Sequence, residues 1–409
     1  MTKRNDLKIN ILSFVSLNFK DPASTRESGG GWLRFQKILE VANKSRVEYH
    51  LVSFRFFQPP IILGIVQTLT SMIKVLTQTC KIVKSTDINL LLCPIEDPWI
   101  VMFANFCSKI TNRKLVVFLN SIPYFGLTNV PKFGNQDLKV SFKALLKIMR
   151  SSPESKARAP VSALFWYISF KVLRSPSTNV VCLNKVLADE FYELTQKRAV
   201  SIYPGNGIDF DAISRAKIGN KEFDAIYATG SLLPQKGIFD VIEIWNIVVA
   251  NRPSARLAIA GRVDPGYLYL IKEIYCMINQ LGLSDNITLI CDPEKGLSQQ
   301  ELWQSMKQAK VFLYPSQKDV WPLVIGEALG CGLSVIAYEL PGIRFAYGDC
   351  PDVYLIKVGS VENAAQRAIN LLEGDLFQES SKKARQYAEN HSWTNVADLE
   401  REAYLTIIH

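Results

Sequence analysis

Histidine is scarce in this chain of 409 residues: His50, His391 and His409 are the whole supply. A mechanism that moves protons through several imidazoles therefore has few groups to draw on. Eight cysteines, at 80, 93, 107, 182, 276, 291, 331 and 350, form no C-x-x-C pair and mostly sit in apolar surroundings. That argues against a zinc site and reads them as reduced core residues of a cytosolic protein. Long apolar runs are missing as well. The longest, Pro60 to Leu76, is interrupted by Gln67, Thr68, Thr70, Ser71 and Lys74, which falls short of a spanning helix. The opening MTKRNDLKINILSFVSL has the basic start and apolar run of a signal peptide, but Asn10, Ser13 and Ser16 break it and no small-residue cleavage site follows, so it reads as a first strand. Internal repeats and low-complexity tracts are absent too.

What is present fits two globular domains. The length exceeds the size at which a single core stops growing, and 48% hydrophobic with 21% charged is ordinary for a soluble protein. Short β-branched runs near Ile9 to Val15, Tyr49 to Phe54, Asn89 to Cys93, Leu115 to Leu119, Asn179 to Leu183 and Val200 to Tyr203 alternate with helical patterns. The rhythm repeats at Asp224 to Thr229, Leu257 to Ala260, Ile287 to Ile290, Val311 to Tyr314 and Ser334 to Ala337. Alternating strand and helix predicts an α/β protein with parallel, doubly wound sheets and ligands at the carboxyl ends of the strands. The pattern breaks at Gly205 to Asp209, the predicted hinge, giving an N-terminal domain over 1–204 and a C-terminal domain over 205–390.

Charge is divided unevenly between the halves. Residues 1–200 hold 28 Lys and Arg against 13 Asp and Glu, whereas residues 201–409 hold 19 against 25. From Pro98 to Ala188 there are 13 basic residues and only Asp137 and Glu154 as acids, interleaved with aromatics such as Phe142, Phe165, Trp166, Tyr167 and Phe170. Such a mixture suits an anionic membrane surface, with 132–174 as the contacting stretch and the protein cytoplasmic and peripheral on the inner membrane face. The alternative is an aromatic core under a solvated basic face. No helix-turn-helix, finger or RNA-binding signature accompanies the charge, so nucleic acid is not the expected partner.

The chemistry concentrates in YPSQKDVWPLVIGEALGCGLSVIAY, Tyr314 to Tyr338. A buried strand ends at Pro315 and Ser316, and Pro322 suits the first turn of a helix running to Leu329. Asp319 then precedes the helix and Glu327 lies inside it. The helix N-terminus, with Leu323 and Val324, offers free N–H groups and positive dipole to a phosphate. Gly29, Gly30 and Gly31 form a second candidate, a loop between the first strand and a helix near Trp32 whose backbone can approach a ligand closely. Lys236, just before Gly237 and a helix start, is placed to neutralise a diphosphate.

The acidic pair resembles the E-x7-E signature of the retaining GT-B-fold glycosyltransferases, the group 1 family that includes phosphatidylinositol mannosyltransferases and sucrose synthases. Asp319 stands where that family usually has its first Glu. Further segments match in the same order: YPGNGID at Tyr203 to Asp209, YATGSLLPQKGIFDVIEIW at Tyr227 to Trp245, ARLAIAGR at Ala255 to Arg262, and HSWTNVADLEREAY at His391 to Tyr404. The resemblance implies two Rossmann-like domains facing a cleft, with 391–409 a terminal helix that packs back on the N-terminal domain. It implies a nucleotide-sugar donor (UDP-, GDP- or ADP-sugar) bound by Gly29, Gly30, Gly31, Gly230, Ser231, Lys236, Gly261, Arg262, Asp319, Leu323, Val324 and Glu327. Asp319 would hold the donor sugar, Glu327 the ribose and Lys236 the leaving diphosphate, with no cofactor. The only D-x-D, Asp209 with Asp211, lies at the hinge, so no metal is invoked.

The chain also departs from the family. Ser231 replaces an Arg that relatives pair with the Lys, Val263 replaces the second glycine of an AGxG turn, and Asn120 stands where many relatives carry a His beside the reacting sugar. An Asn can hydrogen-bond a sugar hydroxyl but is neither acid nor base. The expected activity is transfer of a sugar to a glycan or lipid-linked acceptor. A binding protein that has lost turnover and another GT-B enzyme such as a sugar-nucleotide epimerase are the alternatives.

Overall fold

The computed structural model describes residues 7–16, 30–54, 61–121, 142–143, 145–146, 159–217, 221–263, 265–373 and 376–409. By internal contacts the chain divides into two units, the first Met1–Gly205 with Thr394–His409, the second Asn206–Trp393.

The first unit carries a six-stranded sheet: β1 Ile9–Ser16, β2 Val47–Phe54, β3 Leu90–Cys93, β4 Lys114–Leu119, β5 Thr178–Cys182 and β6 Val200–Ser201, in the order β2-β1-β3-β4-β5-β6. Every pairing is parallel. The helices of this unit are α1 Gly30–Val41, α2 Ile61–Ser85, α3 Pro98–Thr111, α4 Ala159–Arg174 and α5 Lys185–Thr195. Strands covered on both faces by helices should be apolar throughout rather than alternating. β3 is buried along its whole length, and Ile9, Ile11, Leu12 and Phe14 of β1 are buried without regard to parity.

The second unit repeats the scheme. Its strands are β7 Ala225–Ser231, β8 Leu257–Arg262, β9 Ile287–Leu289, β10 Val311–Tyr314, β11 Ser334–Tyr338 and β12 Val353–Ile356, all parallel, in the order β12-β11-β10-β7-β8-β9. This is the nucleotide-binding order in which strand succession reverses between β7 and β10, and ligands lodge at the carboxyl ends beside such a reversal. Helices α6 Phe210–Arg215, α7 Ile238–Asn251, α8 Tyr269–Gln280, α9 Gln299–Lys307, α10 Leu323–Gly330, α11 Pro341–Tyr347, α12 Val361–Glu373 and α13 Leu376–Asn390 surround it. Trp245 on α7 and Tyr227 on β7 are the largest side chains of its core and are fully buried. The last helix, α14 Trp393–Ile408, returns the chain to the first unit, where Lys114 Nζ donates to the carbonyls of Ile407 (2.7 Å) and Ile408 (3.0 Å).

Some expectations need correction. β12 was not foreseen, and β6 has two residues instead of the four expected. Gly30 and Gly31 are the first residues of α1, not a loop, while Gly29 lies outside the described residues. Pro322 is the residue ahead of α10, with φ −68° and ψ 116°, instead of a member of its first turn. Much of 132–174 also lies outside the described residues, including Lys139, Lys147 and Arg150.

Candidate active site

In the second unit the carboxyl end of β10 supplies the acidic residue before α10. Tyr314, the last residue of β10, donates its hydroxyl hydrogen to Asp319 Oδ2 over 2.7 Å. Lys236 Nζ meets the same oxygen at 2.7 Å, and the Val320 N–H donates to Oδ1 at 3.0 Å. The side chains of Lys236 and Asp319 are 27% and 16% exposed, so the pair is shielded yet open to a ligand. Burial, then the Asp319 charge, holds the Tyr314 phenol well above its ordinary range, keeping it a hydrogen-bond donor. Lys236 ends a short 3-10 turn over Pro234–Lys236, and its own carbonyl accepts from Tyr227 Oη at 3.0 Å. The turn passes into α7 through Gly237 at φ +84°, where an added Cβ would stand 2.0 Å from the Pro315 carbonyl oxygen. Only glycine lets the β7 and β10 loops approach this closely, and that approach brings Lys236 to Asp319.

On α10 the residues Ile325, Gly326, Ala328, Leu329 and Gly330 are buried. Leu323, Val324 and Glu327 are partly exposed and share a face by helical spacing. No side chain caps the helix start, so its first N–H groups lack that partner. Gln299 Nε2 donates to Glu327 Oε1, a contact that sequence reasoning missed. The only sequence signal there is the capping box of Ser298 and Glu301, which fixes where α9 begins. At the ends of β7 and β8, Ser231 pairs with Arg262 in the sheet register and Gly230 faces open space. The Gly261 N–H lies 3.4 Å from Cys291 Sγ. Arg344, on α11, pairs with Glu339 at 2.7 Å on the surface.

The first unit brings a different set together. Asn120 follows β4, and its Nδ2 donates to the Pro94 carbonyl at 3.0 Å. A Cβ on Gly31 would stand 3.1 Å from Asn120 Cγ, so the two predicted residues are in contact. Glu96, in the loop after β3, was not foreseen. It accepts from the Asn120 N–H at 3.1 Å and from the Ser121 hydroxyl. Burial raises its carboxyl above the ordinary carboxylate range, although the Ser121 and Asn120 hydrogen bonds oppose this. His50 and His391 lie elsewhere: His50 is on β2, and His391 Nδ1 is 2.8 Å from the Tyr387 carbonyl.

Comparison with known proteins adds to this geometry. Residues 209–391 match the family model described as "Glycosyl transferases group 1". The chain is 25% identical over 209 residues to the D-inositol 3-phosphate glycosyltransferase of Mycobacterium bovis, a match covering 48% of this chain and 42% of that protein. The chain therefore spans less than half the length of the curated relatives it matches. Among solved structures it is similar to Anabaena HepE in complex with UDP and glucose, with TM-score 0.67 and 16% identity over 97% of this chain and 100% of that one. It is also similar to sucrose-phosphate synthase from Thermosynechococcus elongatus, with TM-score 0.64 and 14% identity over 98% and 99%. These likenesses show the fold, two parallel six-stranded sheets flanked by helices as in GT-B glycosyltransferases. Residues 209–391, which carry Lys236, Asp319 and Glu327, are a glycosyltransferase group 1 domain.

Proposed function

We propose that this chain is a retaining glycosyltransferase that moves a sugar from a nucleotide-diphosphate donor to a lipid-linked glycan or other cell-surface glycan precursor at the cytoplasmic face of the membrane. The observation that carries the reading is the Lys236–Asp319 pair, anchored by Tyr314 at the strand reversal of the second sheet and followed by α10 with Glu327. Lys236 and the first N–H groups of α10 stabilise charge that grows on the leaving diphosphate. Asp319 accepts from the donor sugar's hydroxyls and Glu327 from the ribose. Gly230, Ser231, Gly261, Arg262, Leu323 and Val324 line the donor. In the first unit, taken by itself, Asn120 offers its side-chain amide to a sugar hydroxyl. The bond between the anomeric carbon and the phosphate oxygen breaks with its electron pair going to phosphate. The acceptor oxygen bonds the same face of that carbon and its proton passes to the departing phosphate, so neither a protein base nor a metal is required.

The HepE complexes with UDP and with UDP-glucose make a UDP-sugar the first donor to try. The membrane reading is supported by the end of α4, where Tyr167, Phe170, Lys171 and Arg174, with Ser175 just after the helix, line a surface cavity of about 310 Å³ and Lys171 Nζ sits 5.2 Å from the Tyr167 ring centroid. No helix among the described residues is long and apolar enough to cross a membrane. A thermal-shift series with UDP-glucose, GDP-mannose and ADP-glucose tests the donor: one of them raises the melting temperature by mass action, and a flat response to all three overturns the reading. Co-sedimentation with anionic vesicles at low salt tests the surface; a chain left in the supernatant makes a soluble acceptor the better assignment. Ser231 and Asn120 favour a second reading, a binding protein without turnover. Failure to hydrolyse or transfer a donor that it binds would establish that reading.

A further inference from the structure

Within the second unit, α9 follows β9 and α10 follows β10, so both helices begin at the carboxyl edge of the parallel sheet, where ligands lodge. They touch at two levels. At the inner level Cys331 Sγ, just past α10, lies 3.7 Å from the Trp303 carbonyl of α9, and both residues are buried. One helical turn nearer the edge, Gln299 Nε2 donates to Glu327 Oε1, and both of these residues are partly exposed. A separation of 28 residues in the chain relates each pair, so the outer contact repeats the inner one along the same two helices.

The inner level, with the Trp303 ring, serves the packing of α9 on α10. The outer level is polar, and both of its ends are anchored. Around Gln299 the capping box fixes the backbone: the Ser298 N–H donates to Glu301 Oε2 at 2.7 Å and the Glu301 N–H to Ser298 Oγ at 3.2 Å. On the α10 side, Tyr347 Oη donates to the Pro322 carbonyl at 2.8 Å, and a Cβ on Gly326 would stand 2.9 Å from Ile208 Cγ1. The last torsion of a glutamate is broad, so a carboxylate left to itself turns; an amide held on Oε1 from a fixed base restricts that turn. The amide is also neutral. It can orient Glu327 without cancelling the charge that makes a carboxylate a strong acceptor, whereas Asp319 is met by the cation of Lys236.

We propose that Gln299 is a positioning residue: its hydrogen bond to Oε1 turns the Glu327 carboxylate toward the ribose hydroxyls of the donor nucleotide. The inference rests on the reading of Glu327 as the ribose acceptor and adds a residue that neither the sequence nor the family match assigns. The ribose hydroxyls donate their hydrogens to Glu327, whose two oxygens can together accept about four hydrogen bonds, and Gln299 makes no contact with the nucleotide.

The preference for ribose over deoxyribose tests the link, because loss of a merely structural contact would weaken both forms alike. Calorimetry gives Kd for UDP, GDP and ADP, each beside its 2′-deoxy and 3′-deoxy counterparts, and the diphosphate that binds the wild type most tightly is carried through the variants. The wild type should prefer the ribose form by about tenfold or more over at least one deoxy form. Gln299→Met keeps the length of the side chain without its amide and should lower that preference to about threefold, with Kd for the deoxy form changed by less than about twofold. Glu327→Ala should leave a preference of less than about twofold, and adding Gln299→Met to it should change nothing more, because Gln299 acts through Glu327. Gln299→Asn, whose amide ends one methylene short of the carboxylate, takes the place of Gln299→Met if the latter does not fold. An undiminished preference in the Gln299 variant overturns the positioning role while the ribose reading of Glu327 stands. So does a preference that survives Glu327→Ala and vanishes in the double variant, since Gln299 would then touch the ribose itself. A wild type that binds none of the three diphosphates, or binds ribose and deoxyribose forms alike, overturns the reading of Glu327, and the inference with it.

Discussion

Replacing Arg34 by Met should destabilise the first unit by about 3 kcal/mol and leave the second unit untouched. Arg34 on α1 is 3% exposed and pairs with Glu400 on α14, which is 2% exposed. The guanidinium also donates from Nε to the Gly205 carbonyl at 2.8 Å and lies 4.0 Å from the Phe118 ring centroid. Among the described residues Glu400 keeps another partner, the Tyr404 hydroxyl, which donates to it at 2.9 Å. Removing one member of a buried pair strands the other, at roughly 3–5 kcal/mol. Met retains the apolar contact with Phe118 and Tyr404 still serves Glu400, which puts the expected cost at the lower end. A chain of two units need not unfold in one step, so amide exchange followed by mass spectrometry is the suitable readout. Peptides from β1 and β4 should exchange roughly a hundredfold faster, while those from β8 and α7 serve as internal controls. Arg34→Met combined with Glu400→Leu removes both charges and should recover most of the loss. Less than tenfold acceleration in Arg34→Met, no recovery in the double variant, or equal acceleration in the second unit would refute the argument.

Three further outcomes follow from the second unit and from a half-buried lysine. Glu327→Gln should weaken free nucleotide and nucleotide-sugar alike, by about 1–3 kcal/mol, whereas Asp319→Asn should spare free nucleotide and impair transfer; equal calorimetric losses in both would mean the roles are misassigned. Lys236→Ala should lower kcat for donor turnover far more than it shifts Tm, because the lysine acts on charge that grows as the bond breaks, and unchanged kcat would move the phosphate site. Lys197 Nζ donates to the carbonyls of Leu173 (2.9 Å), Ser175 (2.7 Å) and Thr178, and burial pushes its ammonium down to about 8. Between about pH 8 and its unfolded value near 10.5 the unfolded chain holds more protons, so stability relative to Lys197→Met should rise with pH across that window. Denaturant midpoints that differ by a constant amount from pH 7 to 10.5 would refute this, and titration of the buried tyrosines cancels in the comparison.

The alternation of strand and helix was readable because doubly wound sheets bury their strands completely and so write them as continuous apolar runs. β12 escaped because Val353–Ile356 is a four-residue edge strand behind Pro351 and Asp352, with three of its residues only partly buried. Asp319, Glu327 and Lys236 were legible as charged residues at helix starts and turns. Their mutual contact was not, since Lys236 and Asp319 are separated by 83 positions and meet only through strand order. Tyr314 read as a strand residue because its ring is buried; the hydroxyl that reaches Asp319 leaves no periodic trace. Glu96 was hidden for a different reason. IEDP has the composition of a turn and a helix cap, and nothing in that string separates the acid that caps from the acid that reaches across to Asn120.

The second unit is one uninterrupted stretch, Asn206–Trp393, whereas the first is made of two pieces with the second unit between them. On a ribosome this sets an order of completion. When residues 1–205 have emerged, Arg34 lacks Glu400, Lys114 lacks the carbonyls of Ile407 and Ile408, and the Leu7 carbonyl lacks the Arg401 guanidinium that donates to it at 2.7 Å. All of those partners wait for the synthesis of 188 intervening residues. The domain that carries Lys236, Asp319 and Glu327 can close its core first, and the unit begun first is finished last.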